Sequence, residues 1–170
     1  MGRIGIFYGS TYGNTRKVAQ MLQEALGGND VELKDVENAA PEDLEAFDVL
    51  ILGTPTYGFG ALQEHWADFI WELDDVDLSG KTVAIFGLGD QLSYTDSFMN
   101  AMRTVYDKAI EKGARVIGAW PTDGYTYQGT TAVVDGKFVG LAVDMDRQRD
   151  LTEQRITQWA AQLRKELATA

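Results

Sequence analysis

Three short stretches of this 170-residue chain concentrate glycine, hydroxyl and aromatic residues in patterns suited to a phosphorylated ring. The first is Gly9-Ser10-Thr11-Tyr12-Gly13-Asn14-Thr15. Its glycines allow a tight turn, and Ser10, Thr11 and Thr15 supply hydroxyl donors. A helix beginning at its end would add free N–H groups and a positive dipole terminus. This is a phosphate cradle without a lysine, distinct from both the triphosphate loop and the Gly-x-Gly-x-x-Gly dinucleotide loop. Taken alone, it also fits a plain hydroxyl-rich helix cap. The second stretch is Gly53-Thr54-Pro55-Thr56-Tyr57-Gly58-Phe59-Gly60. Pro55 and the glycines fix an irregular loop whose Tyr57 and Phe59 suit stacking on a flat ring, or else close over a sheet edge. The third, Gly87-Leu88-Gly89-Asp90-Gln91-Leu92-Ser93-Tyr94, again pairs exposed backbone donors with an aromatic.

For these stretches to act together, the fold must bring them to one edge. Ile4, Ile6, Phe7 and Tyr8 predict a first strand, Val31 to Val36 a second, and Val49-Leu50-Ile51-Leu52 a third. Val83-Ala84-Ile85-Phe86 predicts a fourth, and Arg115 to Gly118 begins a fifth. The unbroken apolar runs of the third and fourth suit strands buried on both faces. Helical spacing appears at Val18, Leu22, Ala25 and Leu26, ending at Gly27-Gly28, and again at Trp66, Phe69, Ile70 and Leu73. It recurs at Ala101, Met102, Val105 and Ala109, and finally at Ile156, Trp159, Ala160, Leu163 and Leu167. The alternation predicts an α/β fold, a parallel sheet with helices on both faces. In such sheets ligands bind beyond the carboxyl ends of the strands, where strand order reverses. The three stretches follow strands one, three and four. After Trp120 a polar segment interrupts the fifth strand, which resumes at Phe138-Val139-Gly140-Leu141-Ala142-Val143. No repeat or linker divides the chain, so one domain over 1–170 is expected. Two aromatic loops facing a phosphate cradle describe a planar heterocycle with one phosphate on a tail: a mononucleotide, and flavin mononucleotide (FMN) above all.

Composition narrows the chemistry. With no cysteine and a single histidine, His65, the chain has no thiolate nucleophile, disulfide or iron–sulfur ligand, and zinc hydrolysis is nearly excluded. No apolar run has signal-peptide or membrane-span character, so a cytoplasmic protein without membrane association is expected. The net charge of -11 disfavours nucleic acid and anionic membranes as partners. The charge is also localised: Asp35 to Gly80 holds 12 acidic residues and no Lys or Arg, while the remainder is nearly neutral. That quarter is either a solvated face or a surface for a basic partner.

The segments Ile6-Phe7-Tyr8-Gly9-Ser10 to Thr15, Gly53-Thr54-Pro55-Thr56-Tyr57 and Phe86-Gly87-Leu88-Gly89-Asp90-Gln91 to Tyr94, in this order and spacing, resemble a flavodoxin. The excursion followed by Gly136 to Asp144 resembles the insertion of the long-chain type. The resemblance implies a doubly wound five-stranded sheet of order 2-1-3-4-5, with strand five split by an insertion at about 121–138. It implies a low-potential one-electron carrier that binds FMN non-covalently, rather than an enzyme. Ser10, Thr11, Tyr12, Gly13, Asn14 and Thr15 would then bind phosphate. Pro55, Thr56, Tyr57, Gly58, Phe59 and Gly60 would line one side of the flavin ring, and Leu88, Gly89, Asp90, Gln91 and Tyr94 the other. Either Asp144 or Asp146, with Asp146 preferred, would lie on the ribityl side. Tyr12 stands where the family usually has threonine, and Tyr57 where long-chain members often have tryptophan; Leu88 and Ser97 also replace polar residues.

The resemblance further implies a monomer passing electrons between basic redox proteins, such as a flavodoxin/ferredoxin-NADP reductase, and downstream acceptors. Glycine at 58 would let its carbonyl turn toward the flavin through a positive backbone dihedral. The nearest rival is an FMN-dependent quinone or azo reductase using a nicotinamide donor, which needs an open substrate pocket. A response-regulator receiver lacks its acidic residues here, because Gly9-Ser10 and Gly53-Thr54 occupy their places. His65 is expected on the solvent side of its helix, and no metal site is expected.

Overall fold

The apolar runs become strands because neighbouring strands satisfy their backbone while helices cover their side chains. The computed structural model describes residues 2–169, with only the backbone described at Asn29; Met1 and Ala170, the outermost residues of the expected 1–170 domain, lie outside the described residues. The first half of the chain runs β1 (Ile4–Tyr8), α1 (Asn14–Leu26), β2 (Val31–Asp35), β3 (Val49–Tyr57), β4 (Ala61–Leu62), α2 (Glu64–Glu72) and β5 (Thr82–Leu88). The second half runs α3 (Asn100–Glu111), β6 (Arg115–Ile117), β7 (Trp120–Pro121), β8 (Val133–Val134), β9 (Lys137–Phe138), β10 (Leu141–Val143) and α4 (Thr152–Ala168).

The main sheet is parallel in the order β2-β1-β3-β5, with β6 and β10 both pairing with β5. β6 pairs along Thr82 to Ala84 and β10 along Phe86 to Leu88, so they are two halves of one fifth position. The expected order 2-1-3-4-5 is therefore the observed one. β1 is buried throughout and β3 as far as Thr56, whereas edge strand β2 is buried only at Val31. That contrast explains why the central strands read as unbroken apolar runs.

The excursion begins and ends differently from the expected 121–138. The chain leaves the sheet at Gly118, whose φ is 89°, and returns after Gly140. Phe138 does not continue the fifth strand; it belongs to a separate antiparallel sheet of order β7-β9-β8. Its ring sits among Phe98, Tyr125 and Tyr127. At Gly140 the chain crosses so close to β5 that a Cβ would lie 1.9 Å from the Ile85 carbonyl oxygen. An apolar strand of the side sheet and one of the main sheet look alike in sequence, so their boundary was not visible there.

The helices carry the expected apolar faces. α1 buries Thr15, Val18, Ala19 and Leu22, and ends where the Gly27 N–H donates to the Gln23 carbonyl. It packs against α4, which buries Ile156, Trp159, Ala160 and Leu163. The Trp159 indole donates to the Gly118 carbonyl at 2.9 Å, tying α4 to the point where the chain leaves the sheet. α3 packs over β3 and β5 through Ala101, Met102, Val105 and Ala109. Among the described residues no helix is long and apolar enough to cross a membrane.

Candidate functional site

The carboxyl ends of β1, β3 and β5 border a cavity of about 330 Å³. Ser10, Tyr12, Asn14 and Thr15 line it from the first loop, and Pro55, Thr56 and Tyr57 from the end of β3. Leu88, Gly89, Asp90 and Tyr94 line it from the loop after β5, and Met145 and Asp146 from the segment after β10.

The first loop is braced from within. The Ser10 hydroxyl oxygen accepts from the amides of Gly13 (3.1 Å) and Arg16 (3.4 Å), and Gly13 takes a φ of 94° where α1 begins. Gly13, the residue just ahead of α1, has no side chain to cap it, and the first turn of α1 carries no acidic residue. Among the described residues, the amides of Thr11, Tyr12, Asn14 and Thr15 have no acceptor. Unsatisfied N–H groups in the loop and at the helix start, beside three hydroxyls, form a site for an anion.

A buried glutamine that the sequence reading passed over holds this loop in place. The Gln63 carbonyl caps α2 by accepting from the amides of His65 and Trp66, which turns its Nε2 toward Thr11 Oγ1 at 3.2 Å. The Gly53 carbonyl accepts from both the Gly9 amide and the Trp66 indole, joining the first two loops. Gly9 is required there, because a Cβ would lie 2.3 Å from Gln63 Oε1. The signal for Gln63 was its position one residue ahead of a helix, where a side-chain acceptor is favoured.

The second wall is Tyr57, the last residue of β3, fixed by antiparallel pairing with Ala61 and by the Gly60 amide donating to its carbonyl. Gly58 has a φ of 51°, and its carbonyl accepts from the Ser97 hydroxyl at 3.2 Å. Thr56 Oγ1 accepts from the Ala101 amide and so anchors this loop to the start of α3.

The third loop is organised by carboxylates. Asp144 is fully buried: Oδ2 accepts from the Gln91 amide and side chain, and Oδ1 from the amides of Asp146 and Arg147. Asp90 Oδ1 accepts from the amides of Leu92 and Ser93 and from Arg147 Nε at 2.9 Å. Burial pushes the Asp90 carboxyl up, but Arg147 and these amides outweigh it and hold it down at about 2. Asp146 is displaced upward, first by burial and then by repulsion from Asp90 and Asp144, against the opposing pull of Arg147 and Arg149. The cavity is thus electrostatically two-ended, with helix N–H groups at one side and carboxylates at the other.

Several expected residues lie outside this lining. Thr11 is exposed and its hydroxyl faces Gln63, while Gly13 serves the loop through its backbone. Gly58, Phe59 and Gly60 form the turn beyond Tyr57, and Phe59 is 96% exposed. Gln91 is buried beneath its loop, with its side chain spent on Asp144 and the Thr126 amide. Of the two acidic candidates, Asp146 borders the cavity and Asp144 supports the loops. Met145, between the two acidic candidates, also lines the cavity, and an apolar residue at a strand end carries no sequence signal that separates cavity lining from core.

His65 is a correction. It is only 23% exposed at its side chain, with Nδ1 2.9 Å from Gln63 Nε2 and Nε2 3.6 Å from carboxylates of both Glu37 and Glu64. It is drawn inward because Gln63 offers Nδ1 a donor. Asp35, Glu37 and His65 bring ligand atoms within 4.8 Å of one another. With the Gln63 amide oriented by its cap, Nδ1 must accept and Nε2 must carry the proton, which points that proton into the cluster and disfavours a cation there.

A family model described as Flavodoxin matches residues 6–159. The chain is 49% identical over 165 residues to a flavodoxin from Picosynechococcus sp., covering 96% of this chain and 97% of that protein. It is 43% identical over 168 residues to flavodoxin 1 of Escherichia coli, covering 98% and 96% respectively. Among solved structures, the Fusobacterium nucleatum flavodoxin bound to flavin mononucleotide superposes with a TM-score of 0.93 at 37% identity, covering 98% of this chain and 99% of that one.

Proposed function

Because the chain belongs to the flavodoxin family, we propose that the cavity at the ends of β1, β3 and β5 is where it holds FMN. The protein is an FMN-binding electron carrier and not an enzyme with a substrate of its own. The observation that carries the placement is the pairing of unpartnered amides at the start of α1 with Tyr57 and Tyr94 on the same cavity. Phosphate suits the amides of Thr11, Tyr12, Asn14 and Thr15 and the hydroxyls of Ser10 and Thr15; a flat ring suits the two tyrosines. Asp146 borders the space left for a polyol chain.

Bound FMN supplies one-electron redox chemistry, and the chain supplies its surroundings. Tyr57, Tyr94, Leu88 and Met145 exclude water from the ring, which disfavours added negative charge there. The exposed carboxylates of Asp68 and Glu72 lie on α2, which follows the Tyr57 loop, and favour a brief encounter with a basic redox protein. A reductase of the flavodoxin/ferredoxin-NADP type has that character. A monomer acting in the cytoplasm, folded as one domain over 1–170, completes the reading. The test is FMN titration of the apoprotein followed by an anaerobic redox titration. Tight 1:1 binding and two separated one-electron waves are expected. An apoprotein that does not take up FMN would refute the placement, and NADPH-driven quinone turnover by the protein alone would refute the carrier role.

A further inference from the structure

Two of the positions that depart from the flavodoxin pattern, Tyr12 and Tyr57, touch each other. Their ring centroids are 6.0 Å apart with planes at 67°, an edge-to-face contact, and both rings border the cavity. Tyr12 is 83% exposed, and among the described residues neither hydroxyl makes a hydrogen bond. The contact is therefore made by the rings alone. Tyr57 has its backbone fixed by pairing with Ala61 and by the turn at Gly60, but these restraints do not set its side-chain rotamer. A phenol ring also covers less area than an indole. A neighbouring ring on the open side would restrict a smaller wall.

We infer that Tyr12 is a positioning residue for Tyr57, bracing it from the phosphate loop so that two tyrosines do the work of one tryptophan wall. The inference rests on the FMN reading above. Tyr12 would then contribute to flavin binding through the ring wall and not through phosphate. It would also couple the loop after β1 to the loop after β3, adding to the hydrogen bonds deeper in the fold at Gly53 and Gln63.

The experiment is a double-mutant cycle, Y12A, Y57A and Y12A/Y57A, with Y12F as the conservative variant. Dissociation constants are measured by flavin fluorescence quenching, with FMN and with riboflavin, which lacks the phosphate. Visible circular dichroism of the bound flavin reports ring geometry. Y12A is expected to weaken both ligands by about 2- to 12-fold, the size of an edge-to-face contribution, and to alter the dichroism. It should have no further effect in the Y57A background, and Y12F should bind as the unmodified protein does. Since Tyr12 is largely exposed, its variants should keep the fold, and far-ultraviolet circular dichroism checks the two that carry Y57A. Weakening of FMN but not riboflavin would place Tyr12 with the phosphate and overturn the inference. Equal effects of Y12A with and without Tyr57, no effect at all, or a Y12F variant as weak as Y12A would also overturn it. Failure of the unmodified apoprotein to bind FMN would instead refute the cofactor reading, and the inference with it.

Discussion

Replacing Asp90 with Asn should change the acid stability of this protein more than its ordinary appearance suggests. Asp90 Oδ1 takes three donors, from Leu92, Ser93 and Arg147, and its carboxyl is held at about 2 rather than the usual 3.8. A depression of nearly two units corresponds to a ceiling of about 2.5 kcal/mol, at about 1.4 kcal/mol per unit. The Asp90 side chain is 15% exposed but its Arg147 partner is 41% exposed, so solvent screening reduces the contribution to about 1–2 kcal/mol. Because the folded value is depressed, this stability is present above about pH 4 and is lost as pH falls toward 2. The assay is urea unfolding of apoprotein and D90N from pH 7 to pH 2. D90N should be about 1–2 kcal/mol less stable at pH 7, with the two curves converging near pH 2. Parallel curves over the whole range would show that the charge on Asp90 is not what organises the third loop. Asp146 carries the opposite sign. Its carboxyl is displaced upward, so its ionisation opposes folding as pH rises, and D146N should stabilise the apoprotein at neutral pH while D90N does the reverse.

Q63A should cost about 1–2 kcal/mol in unfolding experiments, since it removes the cap of α2 and leaves a buried gap. It should also weaken FMN more than riboflavin, because Thr11 loses its tether. Reversing charge with D68K/E72K should slow reduction by a basic reductase several-fold at low salt in stopped-flow measurements, with the rates converging at high salt. A salt-independent difference would indicate a lost contact and not steering. G140A should destabilise by 3 kcal/mol or more in thermal unfolding, on the order of a severe core clash, because its Cβ would strike the Ile85 carbonyl.

The alternation of strands and helices and the three loops that end at the cavity are legible in the sequence. Those signals are local: apolar period, glycine at turns, and a helix start with hydroxyls before it. It could also locate the acidic quarter, since charge is a property of composition. Tertiary structure alone decided which side chains within those loops face the cavity. Gln91 and Asp146 are both polar residues near strand ends, yet one is bonded beneath its loop and the other borders the open space. The difference arises from Asp144, 53 residues from Gln91 in sequence, whose four accepted hydrogen bonds fix both loops at once. Phe138 was assigned to the wrong sheet for the same reason, since burial against Phe98 and Tyr125 and burial against β5 leave one apolar pattern. The contact between Tyr12 and Tyr57 joins residues 45 apart in sequence. Such pairings depend on which strands are neighbours, and no window of sequence contains that information.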